Sequence, residues 1–150
     1  MTLQEPQNVL FLCTANAARS ILSEAILNGI GNGQFKAFSA GSRPGGTVHP
    51  NTIELLERLG YQTDNLRSKS WDEFASQGAP VMDYIITVCN NAAGESCPIL
   101  PGQPLTDHWD ILDPAAITGT DIQRRQAFEQ AYRTLRARIQ KFIDQIQERQ

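Results

Sequence analysis

Residues 8–13 form a short, almost uninterrupted apolar run that stops at the small-residue loop TANAA. A run this short, bounded by a loop, reads as a buried strand. Apolar positions then recur at helical spacing, at Ile21, Leu22, Ala25, Ile26 and Ile30, and glycines at 29, 31 and 33 are expected to end that helix. Residues 35–39 read as a second strand leading into a turn-rich stretch at 41–46. Pro50 suits a first helical turn, Ile53, Leu55, Leu56 and Leu59 supply its apolar stripe, and Gly60 is the expected cap. Ser70 and Glu73 have capping-box spacing ahead of a short helix at 71–75. Residues 83–89 (DYIITVC) are β-branched and nearly all apolar, as burial on both faces of a sheet requires. A loop of small and polar residues is expected at 90–96, and a shorter strand at 105–109 ahead of an Asp113-Pro114 turn. Thr120 and Gln123 repeat the capping-box spacing, and the long amphipathic helix they open carries Phe128, Tyr132, Leu135, Ile139, Phe142 and Ile146 on one face.

Strands alternating with helices imply an α/β fold, a parallel sheet with right-handed crossovers and helices on both faces. In such a sheet all strands point one way, so residues just beyond strand ends gather along one edge, where these folds bind ligands. Cys13, Cys89 and Asp113 each fall at or just past an expected strand and should meet there. The 150 residues fit one domain, without repeat or linker. A net charge of −3 argues against a general nucleic-acid binder, and Arg124, Arg125, Arg133, Arg136 and Arg138 alternate with acids as a solvated helix face does. The run at 9–12 is too short for a signal-peptide core or a membrane span, so a cytoplasmic location is expected. Three cysteines without an export signal then point to reduced thiols with chemical roles. Zinc is a poor alternative, because Cys89 and Cys97 lie eight apart and His49 and His108 form no pair, and no metal or cofactor is expected.

Cys13-Thr14-Ala15-Asn16-Ala17-Ala18-Arg19-Ser20 joins a buried strand directly to a helix. Three features favour an anion there: inward backbone N–H groups, the positive start of the helix, and the planar donor fork of Arg19. The small side chains of Ala15, Ala17 and Ala18 let the backbone close around the hollow. The same positive field favours the thiolate of Cys13, the nucleophilic form, with Ser20 able to donate to the sulfur and Asn16 to brace the loop. The alternative for Cys13 is an inert, buried small hydrophobe.

The string CTANAARS after VLFL resembles the signature loop of the low-molecular-weight protein tyrosine phosphatases and their arsenate-reductase relatives. The stretches FSAGS at 38–42, ITVCNNAAGESCP at 86–98 and DHWDILDPA at 107–115 resemble the arsenate-reductase branch, of the thioredoxin-linked type. The resemblance implies a three-layer sandwich around a four-stranded parallel sheet, with Cys13 as nucleophile, Arg19 as oxyanion ligand, and Asn16 and Ser20 shaping the loop. It further implies that Cys13 attacks arsenate while Asp113 protonates the departing oxygen, that Cys89 attacks Cys13 to release arsenite, and that Cys97 attacks Cys89. Thioredoxin, or glutathione with glutaredoxin, would reset the resulting disulfide, and phosphate or sulfate would compete with arsenate.

Four departures matter. The phosphatase branch typically has Asp-Pro-Tyr where this chain has Asp113-Pro114-Ala115, so an aromatic wall for tyrosine is missing. Thioredoxin-linked relatives often carry a further cysteine in the loop where Ala18 stands here, and the Cys89 to Cys97 interval is one residue longer than in familiar relatives. Some relatives bind potassium near the positions of Asn16, Glu24 and Ser39 with an added Asp. Lys69 aligns with that Asp, and its ammonium is expected to replace the ion unless it is an ordinary surface lysine. His108 and Trp109 are expected to pack or to support neighbouring site residues, and not to react. Two other functions remain open on the sequence: hydrolysis of phosphate monoesters, and redox or oxyanion sensing without turnover, with Cys89 and Cys97 then one core and one loop thiol.

Overall fold

The computed structural model describes residues 5–89 and 105–148. Strand β1 spans Gln7–Cys13 and is followed by helix α1, Arg19–Ile30, then strand β2, Phe35–Gly41. Helices α2 (Pro50–Arg58) and α3 (Asp72–Ala75) precede strands β3 (Tyr84–Thr87) and β4 (Leu105–His108). A 3-10 turn, Pro114–Ala116, leads to the long helix α4, Asp121–Glu148. The strands lie in the order β2-β1-β3-β4 and every pairing is parallel.

Strand β1 is central, and its alternation divides the core. Val9, Phe11 and Cys13 join one cluster with Leu22 and Ile26 of α1, Leu55 and Leu56 of α2, and Phe128, Leu135 and Ile139 of α4. Leu10 and Leu12 join the other, with Ala40, Met82 and Ile85, against which Phe38, Trp71 and Phe74 pack. A strand with apolar residues on both faces has to be covered on both sides, which produces the three layers. Trp109 sits in the first cluster against Phe11 and Phe142, with ring centroids 5.9 and 6.3 Å away.

Several boundaries differ from expectation, each for a local reason. Gly29 does not end α1; it stays inside the helix, where a Cβ would come within 2.6 Å of the Tyr61 ring, and Gly31 provides the cap. Ladder bonding carries past the short β3 at both ends, because Asp83 N–H reaches Asn8 O and Val88 N–H reaches Leu12 O. Ser70 and Glu73 do not close a capping box, since both carboxylate oxygens of Glu73 take the Arg67 guanidinium, at 2.8 and 2.7 Å. Helix α3 therefore starts at Asp72 with Trp71 as its N-cap. Thr120 and Gln123 do close theirs: Thr120 N–H donates to Gln123 Oε1 at 2.9 Å and Gln123 N–H to Thr120 Oγ1 at 3.1 Å. Of the arginines expected on a solvated face, Arg138 instead lies over Trp109, its guanidinium carbon 5.1 Å from the ring centroid. The loop expected at 90–96 and Cys97 lie outside the described residues.

Candidate active site

The loop between β1 and α1 is held from behind by its carbonyl groups. Cys13 O accepts from Ser42 N–H, Thr14 O from Arg43 N–H, and Ala15 O from both Gly45 N–H and the Ser68 hydroxyl. Ala17 O accepts from His49 N–H and the Thr52 hydroxyl, and Ala18 O from Leu22 N–H. In a trans peptide the N–H points opposite to the C=O, so carbonyls drawn outward turn the amides toward the loop's interior. Among the described residues nothing accepts from the amides of Ala15, Ala17 or Ala18. Helix α1 also begins without a side-chain cap at Ala18, leaving its partial positive charge to the hollow. Gly41 permits this packing, because a Cβ there would lie 2.5 Å from Thr14 O and 3.0 Å from Asn16 Cβ.

Beneath the loop runs a buried polar chain whose hydrogen directions follow from its partners. Lys69 N–H donates to Asn16 Oδ1 at 2.9 Å, which fixes the amide orientation. Asn16 Nδ2 then donates to Ser20 Oγ at 2.7 Å and to Ser39 Oγ at 3.0 Å. The Ser39 hydroxyl donates to Glu24 Oε1 at 2.6 Å, and Ser20 Oγ lies 2.8 Å from Cys13 Sγ. Asn16 N–H adds a second contact to that sulfur at 3.3 Å. The turn bringing this amide to the sulfur needs φ of 50° at Asn16, a left-handed conformation that asparagine tolerates better than most residues.

Lys69 completes the chain. Its ammonium lies 2.8 Å from Arg67 O, 3.4 Å from Ser39 Oγ and 3.7 Å from Glu24 Oε1. The place between Glu24 and Ser39 is thus already taken by a positive charge, and the residues present do not fit a potassium ion. Burial pushes the Glu24 carboxyl above the usual carboxylate range, with Ser39 and Lys69 acting against that rise. Burial likewise lowers the Lys69 ammonium, offset by Glu24.

Among the described residues, the other expected site residues Arg19, Cys89 and Asp113 converge on the same edge. Arg19 is buried, with Nη1 donating to Ile111 O at 3.1 Å and Nη2 lying 3.7 Å from Asp113 Oδ2. Asp113 is half-buried and caps the 3-10 turn by accepting from Ala115 N–H. Cys89 is fully buried just past β3, its Sγ 3.9 Å from Leu12 O, the residue before Cys13. Ile111 N–H donates to Cys89 O at 3.4 Å, so one peptide neighbourhood ties the second thiol to Arg19. His108 is held by polar contacts, bonding Thr87 Oγ1 through Nδ1 and Asp110 through Nε2, whereas Trp109 is buried in the core. Sequence reasoning missed His49, Thr52, Ser68 and Ile111, which act on backbone carbonyls or through their own. No sequence pattern marks such contacts.

Residues 8–150 match the family described as low molecular weight phosphotyrosine protein phosphatase. The arsenate reductase of Bacillus subtilis is 28% identical over 93% of this chain and 97% of its own length. That of Oceanobacillus iheyensis is 30% identical over 89% of this chain and 93% of its own. Among solved structures, an arsenate reductase from Archaeoglobus fulgidus superposes with a TM-score of 0.74 at 27% identity, covering 91% of this chain and 98% of that one.

Proposed function

Since the chain is an enzyme that belongs to the low molecular weight phosphotyrosine protein phosphatase family, we propose that it reduces arsenate to arsenite. The observation that carries this reading is the second buried thiol, Cys89, at the strand end beside that of Cys13. Phosphate ester hydrolysis has no use for such a thiol, whereas a two-electron reduction needs one. The relatives at 28% and 30% identity, both arsenate reductases, support the same choice.

In the proposed cycle the loop amides and Arg19 hold arsenate, with phosphate or sulfate as competitors. The Cys13 thiolate attacks arsenic(V), forming an S–As bond, and an oxygen departs as water with a proton from Asp113. Cys89 then attacks the Cys13 sulfur. The S–As electron pair stays on arsenic, which leaves as arsenite, and a Cys13–Cys89 disulfide remains. Cys97 attacks Cys89, expels the Cys13 thiolate and moves the oxidised pair to Cys89–Cys97, for a dithiol reductant such as thioredoxin or glutaredoxin to reduce. Cys89 emerges from full burial in this scheme, so the chain beyond β3 must shift in each turnover.

Cys89→Ser tests the proposal. It should abolish multiple-turnover arsenate reduction with thioredoxin or glutaredoxin as the final donor, yet leave slow hydrolysis of an aryl phosphate by Cys13 and Arg19. Reduction that survives the change would eliminate the relay; aryl phosphate turnover without any arsenate reduction in the wild type would favour a phosphatase.

A further inference from the structure

Thr52 is fully buried in the first turn of α2. A threonine there ordinarily bonds a carbonyl three or four residues back in its own segment. This one instead reaches Ala17 O, 35 positions earlier, at 3.0 Å. His49 N–H approaches the same oxygen, also at 3.0 Å, so both lone pairs of the Ala17 carbonyl point into the start of α2. Planarity then aims the following amide, that of Ala18, away from α2. Ala18 N–H has no acceptor among the described residues and lies at the uncapped head of α1, directly before Arg19.

We infer that Thr52 is a positioning residue for oxyanion binding: its hydroxyl, together with His49 N–H, clamps the Ala17 carbonyl and so presents the Ala18 amide to the anion. The inference rests on the reading that the loop holds an oxyanion. Thr52 touches neither substrate nor nucleophile and acts only through the peptide it orients. Losing one of two clamps leaves the peptide free to rock about its remaining bond, which weakens a donor that must be preorganised. A hydroxyl that merely satisfied a buried carbonyl would matter for stability alone.

The test uses the full chain and inorganic phosphate as probe. Thr52→Val keeps the shape and removes the donor; Thr52→Ser restores it. By calorimetry Thr52→Val should bind phosphate about three- to tenfold more weakly, and the KM for arsenate should rise in parallel while kcat changes less. Thr52→Ser should bind within about twofold of wild type. A second measurement needs no variant: the Ala18 amide resonance of the wild-type protein should shift when phosphate is added. Equal phosphate affinity in wild type and Thr52→Val, or an unmoved Ala18 resonance despite binding, would overturn the role of Thr52 alone. A wild-type protein that binds no phosphate would overturn both this role and the oxyanion-loop reading.

Discussion

Asn16 and Lys69 show how far single residues can be read in this chain. Asn16 was expected to brace the loop, and it does so with both ends of its amide, one toward Ser20 and Ser39 and one toward the Lys69 peptide. Lys69 was expected to stand where relatives hold potassium, and its ammonium lies against Ser39 and Glu24. Added potassium should therefore leave steady-state arsenate kinetics unchanged, and strong activation would contradict the assignment. The buried pair also has a pH signature. Because burial raises the Glu24 carboxyl, the folded state keeps that proton to higher pH than the unfolded chain, and stability is lost as pH rises through the raised value. Lys69→Met removes the charge that offsets this loss, so it should destabilise by about 3 kcal/mol at pH 7 and by clearly less at pH 5, measured by urea unfolding. An equal loss at both values would mean that Glu24 does not feel the ammonium. Thr52, Ser68 and Ile111 were illegible because their partnerships run to or through backbone carbonyls, which every residue owns and no sequence pattern marks.

At the scale of elements, apolar runs and helical period located β1, α1, α2, β3 and α4, the short α3 was signalled by capping-box spacing alone, and side-chain competition set the ends. Two segments carry the same capping-box spacing, yet only Thr120 and Gln123 use it, because Arg67 claims Glu73 with a bidentate pair. Thr120→Ala should accordingly cost about 1 kcal/mol and lower Tm by roughly 2–4 °C, whereas Ser70→Ala should cost less. Gly29 was misread as a terminator because the ring of Tyr61, 32 positions on, is what forbids a side chain there. Gly41, by contrast, links an element end to the site. Gly41→Ala would drive a methyl group against Thr14 O and Asn16, so it should weaken phosphate binding severely, by more than tenfold in calorimetry, even where the protein still folds. Retained affinity would show that the loop tolerates a wider gap from β2 than its packing indicates.

The whole molecule turns a parallel sheet into a meeting point. The order β2-β1-β3-β4 places the ends of β1 and β3 side by side, and the segment after β4 returns across them through Ile111 and Asp113. That convergence was legible from strand polarity alone, since residues 13, 89 and 113 each lie at or beyond the end of a strand. The coupling of Arg19 to Cys89 through a single peptide neighbourhood was not, because it depends on where an irregular segment crosses the sheet edge. No helix among the described residues is long and apolar enough to cross a membrane. The central claim is that two electrons leave the site as a disulfide that migrates from the nucleophile. One equivalent of arsenate, added to reduced protein without external reductant and followed by peptide mass mapping, tests it most directly. The account predicts one equivalent of arsenite, a Cys89–Cys97 bridge and a free Cys13 thiol; arsenite without any disulfide, or three free thiols with arsenate unconsumed, would contradict it.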